Sequence, residues 1–167
     1  MHAKFACVAL LACVAVAHAE SRKVTGQSVR FEIPASSDKG RFTKNADGQW
    51  VYRVNTHVRG LGALTVVVEA RGDPESTLSN ELIGVEANAR SVHMKRSRAH
   101  IIDLNRSRGG EALESVKGGH VAHAHCWSKQ RQFELMLEGK GDTDPLDSSA
   151  WKRLVATFRS DEPPLKN

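Results

Sequence analysis

The chain is predicted to be an α+β domain in which a mainly antiparallel β-sheet is covered by two helices. Three features carry that prediction. Apolar and polar residues alternate over several short runs, the pattern of a sheet with one buried face. Turn residues separate most of these runs at intervals too short for a crossover, which favours antiparallel neighbours. Two Asp-Pro pairs, Asp73-Pro74 and Asp144-Pro145, each precede apolar residues at helical spacing, an N-cap followed by the residue suited to the first helical position.

Met1 to Ala19 reads as an export signal rather than as part of the fold. Lys4 supplies a basic start, an apolar run extends from Phe5 to Ala17, and Ala17-His18-Ala19 is a small-x-small cleavage site before Glu20. The run is about 13 residues, shorter than the roughly 20 that span a bilayer, so no transmembrane helix is expected. Cleavage near Ala19 takes 19 of the 167 residues and leaves 148, enough for one domain at 20–160 with a flexible tail at 161–167. The expected location is periplasmic or secreted.

In the mature chain Val29, Phe31 and Ile33 alternate with Ser28, Arg30 and Glu32 until Pro34 stops the first strand. Asp47-Gly48 is a hairpin signal, since both central positions of a two-residue turn of that type need positive φ. The strand after it carries Trp50, Tyr52 and Val54 on one face, and Gly60 and Gly62 mark a break or bulge before Leu64, Val66 and Val68. From Asp73, a helix would align Leu78, Leu82, Val85 and Ala89, with Gly84 weakening it by about 1 kcal/mol relative to alanine. Val92 to Asn105 is β-like and basic; Ser107 to Gly110 reads as a turn, and Glu111 to Lys117 carries no clear period. His120 to Trp127 and Arg131 to Gly139 form two strands around a Ser128-Lys129-Gln130 turn, with Phe133, Leu135 and Leu137 on one parity. The closing helix, from Asp144, places Leu146, Ala150, Trp151, Leu154, Val155 and Phe158 on one stripe that lies across the sheet.

Together, the Val-x-Phe-x-Ile-Pro strand at Val29 to Pro34, the late hairpin at Val121 to Leu137 and a closing Leu-Val-Ala-Thr-Phe-Arg at Leu154 to Arg159 resemble the small exported bacterial proteins of the PsbP-like fold. That family is named for an extrinsic subunit of photosystem II. The resemblance implies an antiparallel sheet sandwiched by helices, and a binding or assembly protein without catalytic residues. Neither the basic 95–108 segment nor the histidines near 123 belongs to a shared motif, so no functional residue transfers.

Net charge, 24 basic against 19 acidic residues, is +5 and falls to +4 with the loss of Lys4, a mild attraction for anionic partners. Lys95, Arg96, Arg98, Arg106 and Arg108 are the binding candidates, for a protein or an anionic envelope component. Nucleic acid is not expected, given the export signal and no aromatic residue between Val92 and Val121 on which bases stack. Cys7 and Cys13 leave with the signal, so Cys126 is alone, no internal disulfide forms, and the thiol reads as a small buried apolar residue.

His123 and His125 share a parity, about 6.5 to 7 Å apart along the strand, a spacing that lets two imidazoles share zinc or copper. His120 and Cys126 have the other parity and cannot join them. A third ligand would come from a neighbouring strand, with His57, His93, His100 and Asp103 as the candidates. No cofactor is expected in the first reading, an exported non-catalytic binding protein. The alternatives are a metal-binding protein of the periplasm using His123 and His125, and an exported enzyme whose site is assembled from distant residues. No nucleophile elbow, His-Glu-x-x-His helix or phosphate-cradling glycine loop supports the last of these.

Overall fold

The structure, a computed structural model, describes residues 20–72, 75, 77, 79–81, 96–104, 107–163 and 165, with side chains at all of these except 96–104 and 107–109. The described residues form ten strands in two sheets. The strands are β1 (Ser21–Gly26), β2 (Val29–Pro34), β3 (Thr43–Lys44), β4 (Trp50–Asn55), β5 (Leu61–Ala70), β6 (Arg96–Leu104), β7 (Ser107–Val116), β8 (Gly119–Trp127), β9 (Arg131–Lys140) and β10 (Arg159–Ser160). The larger sheet runs β3-β4-β5-β9-β8-β7-β6 and the smaller β1-β2-β10, every pair antiparallel. The α+β prediction holds, and β6 to β9 form a four-stranded meander that docks on β5 through β9.

One face of the large sheet makes the core. Tyr52, Val54, Leu64, Val66, Val68, Ala122, Ala124, Cys126, Phe133, Leu135 and Leu137 are all buried there. Against them lie Val29, Phe31 and Ile33 of β2 and one helix, α1 (Ser149–Thr157). Phe31 meets Tyr52 edge-on at 5.6 Å, and Phe158 meets Phe133 at 5.5 Å, so the small sheet, the helix end and the large sheet close on one aromatic cluster. Trp151 of α1 is buried and donates from Nε1 to Glu111 Oε1 on β7, which satisfies the indole N–H inside the core.

The helical prediction from Asp144 is corrected in detail. Asp144 caps only a short 3-10 turn, Pro145–Asp147, accepting from Leu146 N at 2.9 Å, and α1 starts afresh behind its own cap, Ser148, whose hydroxyl accepts from Trp151 N at 3.1 Å. The predicted stripe survives because Leu146, Ala150, Trp151, Leu154 and Phe158 are all buried. The earlier helix falls largely outside the described residues: Asp73, Pro74, Leu78, Leu82, Gly84, Val85 and Ala89 are not described, and only a helical turn at 79–81 is.

Several strands escape the alternation. β1 occupies residues 21–26, which carry no apolar alternation, and β7 takes both the supposed turn at Ser107 to Gly110 and the segment without a period. The Asp47-Gly48 turn has positive φ at Gly48 alone, with Gly48 N donating to Asn45 O at 3.1 Å. The two-residue turn with positive φ at both positions is instead Gln27-Ser28, at 52° and 62°, joining β1 to β2. The expected bulge is present: the β5–β9 register shifts between Leu61 and Leu64, beside Gly60 at φ 77°. Beyond β10, Asp161 N donates to Ser28 O and Lys129 N to Pro163 O, while Glu162 accepts from Ser128 Oγ at 2.6 Å and pairs with Arg131 Nε at 2.8 Å.

Candidate functional site

The β8–β9 hairpin positions the chemistry. Ser128 N donates to Arg131 O at 2.8 Å and Ser128 Oγ accepts from Arg131 N at 3.0 Å, and this closure sets the register Cys126↔Phe133, His125↔Glu134 and His123↔Met136. Side chains opposite each other share a face, so the apolar partners of this register fall on the core side and the imidazoles on the other. Ala122 and Ala124 are fully buried on the core side, as predicted.

On the second face two carboxylates meet the histidines. His123 Nδ1 is 3.2 Å and His125 Nε2 3.6 Å from Glu134 Oε1, and His123 Nε2 is 2.8 Å from Glu114 Oε2 of β7, a close contact that lacks the alignment of a hydrogen bond. The two imidazole rings lie nearly parallel, 6.4 Å apart, and His125 stacks on Trp127 at 6.5 Å. Exposures of 16% for His123, 28% for His125 and 30% for Glu134 put the cluster between core and solvent. One ligating atom from each of these three residues lies within 4.8 Å of the others. The half-exposed polar face expected from the sequence is therefore more enclosed, and Ala63, Thr65, Val67 and Trp127 on the same side are buried outright.

The remaining candidates separate. Cys126 is 1% exposed on the opposite face, and burial pushes its thiol well above the ordinary range, which keeps it protonated and inert as a nucleophile or ligand. His120 lies near the other end of β8, with Nδ1 3.4 Å from Ser115 Oγ. His57 has φ 53° and contacts Asp38 Oδ1 at 2.6 Å; hydrogen bonds from His57 and then Asn55 hold the Asp38 carboxyl below the usual carboxylate range. His93 lies outside the described residues, and His100 and Asp103 are placed only by their backbone in β6. Among the described residues, the groups beside the two histidines are Glu134 and, behind His123, Glu114.

For the basic segment, Arg96 and Arg98 lie in β6 and Arg108 in β7, while Lys95 and Arg106 are outside the described residues. β6 is the last strand of the large sheet among the described residues. Its register against β7 pairs Ser97 with Leu113 and His100 with Glu111, so one extra residue bulges out beside Arg98. Among the described residues no helix is long and apolar enough to cross a membrane.

No family model and no curated protein sequence matches the chain. Among solved structures it is similar to cyanobacterial PsbP (CyanoP) from Synechocystis sp. PCC 6803, with a TM-score of 0.60 at 14% identity over 90% of this chain and 98% of that one. It is also similar to a Bacteroides thetaiotaomicron VPI-5482 protein, with a TM-score of 0.50 at 9% identity, covering 81% of this chain and 46% of the other. The likeness to cyanobacterial PsbP, over most of both chains, establishes a PsbP-like α+β fold.

Proposed function

We propose that the protein is exported to the bacterial cell envelope and acts there as a non-catalytic binding or assembly domain. Its contact surface is the outer strand of the large sheet, bearing Arg96 and Arg98 and flanked by Lys95, Arg106 and Arg108. One observation carries this reading: among the described residues, the basic stretch falls on β6, the last strand of the large sheet. A terminal strand presents unpaired N–H and C=O groups to an incoming strand, and cationic residues along it select an acidic partner by long-range attraction. The PsbP-like fold supports the reading, since the resemblance implies binding rather than catalysis.

Two experiments test it. Fractionation of the native host, with N-terminal sequencing, should recover a mature chain beginning at Glu20 outside the cytoplasm; a full-length cytoplasmic protein would end the export reading. Protein carrying Arg96→Glu and Arg98→Glu should lose at least about tenfold in affinity for the partner recovered with wild type, and wild-type binding should weaken with salt. Equal recovery by the variant removes this surface, and equal binding to anionic vesicles would move the contact from protein to lipid.

A further inference from the structure

We infer that His123, His125 and Glu134 form a binding site for a divalent transition ion, Zn(II) or Cu(II), with Glu114 as the residue that orients His123. The inference stands apart from the binding reading, because it concerns the second face of the sheet and not its edge.

Its first support is the donor set. Two imidazoles and one carboxylate are a combination that borderline divalent ions accept, and three protein ligands leave a position open for water or a fourth donor. Cys126 points to the other face, so no soft thiolate is available and Cu(I) is disfavoured.

The second support is placement. His125 and Glu134 are register partners, and His123 sits two residues along the same strand, so the backbone of a paired hairpin near the middle of a seven-stranded sheet fixes all three. Glu134 Oε1 already lies 3.2 Å and 3.6 Å from nitrogens of the two imidazoles. Ligands bound at about 2.0 to 2.2 Å in a tetrahedron lie about 3.4 Å from one another, so these separations match a shared ion.

The third support is the layer behind. A ligating histidine characteristically presents its other ring nitrogen to a carboxylate, which selects the tautomer and the ring orientation. Here Glu114 Oε2 stands 2.8 Å from His123 Nε2, close enough for that contact though not aligned as a hydrogen bond, while His123 Nδ1 faces Glu134. A neutral imidazole has only one N–H, so an imidazole between two carboxylates is suited either by a second proton or by a cation at the nitrogen that lacks one. The adjacent His125 and its reach to the same oxygen favour the cation.

The test uses the mature protein as its host produces it, purified without an affinity tag and freed of metal. Calorimetric titration with zinc sulfate, and with copper sulfate followed by tryptophan fluorescence, should give about one equivalent of either ion; Trp127, stacked on His125, should be quenched by copper. Glu134→Gln keeps the shape and should weaken binding at least about tenfold, and Glu114→Gln about 10- to 100-fold. His57→Gln, beyond the end of β4 and paired with Asp38, should change nothing. Absence of binding by both ions in wild type overturns the site, as does undiminished binding in a folded His123→Gln/His125→Gln variant. Should that double variant fail to fold, undiminished binding by Glu134→Gln overturns it instead.

Discussion

The two faces of the β8–β9 hairpin are built from alternate residues of the same strands, yet they do different work. On one, Ala122, Ala124, Cys126, Phe133, Leu135 and Leu137 are shut away under α1 and the small sheet. On the other, His123, His125 and Glu134 with Glu114 of β7 form a polar cluster of intermediate burial. Apolar burial is additive and tolerant of orientation, so the first face needs only volume and period. The second needs specific atoms at specific distances, which depend on register. A one-residue slip would exchange the two sets completely.

The largest effect should separate adjacent residues of β9. Leu135 is fully buried and Met136 only partly, on opposite faces. Leu135→Ala should cost about 2 to 5 kcal/mol and Met136→Ala about 1 kcal/mol or less, read from urea midpoints. Equal losses would mean that the two faces bear the fold alike.

A smaller effect sharpens the contrast between His125 and its neighbour Cys126. Because burial raises the thiol above its ordinary value, the folded state holds the proton more tightly than the unfolded chain. This contribution is fully present below about pH 9 and is lost as pH rises beyond it, by about 1.4 kcal/mol per pH unit. Wild-type stability should therefore fall relative to Cys126→Ala above pH 9, and parallel curves would show that the thiol reaches solvent.

Much of this was legible in the sequence, and the part that was not has physical causes. Val29 to Ile33, Trp50 to Val54 and Arg131 to Gly139 announce themselves because one face of each strand meets a core. β1 does not, because its alternate residues Arg22, Val24 and Gly26 are only partly buried. β7 begins Ser-Arg-Gly-Gly, which reads as a turn, and strand pairing on both sides overrides that local preference. The tight turn at Gln27-Ser28 uses residues without the usual tolerance for positive φ, so no local signal marks it. At the candidate site the two histidines were visible as a same-face pair. Glu134 was hidden by looking like an ordinary solvent-facing alternation and Glu114 by lying in a segment without a clear period, and only register, a long-range property, turns those acids toward His123.

The smallest effects lie at the other end of the second face, where Glu138 divides its two oxygens. Oε1 meets Arg53 at 2.8 Å, with the two side chains 62% and 43% exposed in the order Arg53, Glu138, while Oε2 accepts from Ala63 N at 3.2 Å beside the β5 bulge. The backbone donor sits where the ladder is interrupted, so it depends on that carboxylate, whereas the guanidinium has water as an alternative. Glu138→Ala should then cost about 1 to 2 kcal/mol through the stranded N–H. Arg53→Ala should cost under about 1 kcal/mol, and that difference should vanish at high salt. If instead Arg53→Ala matches Glu138→Ala and the loss survives salt, the ion pair, not the bulge, anchors this end of the sheet. The second face would then be held together by its charges along its whole length.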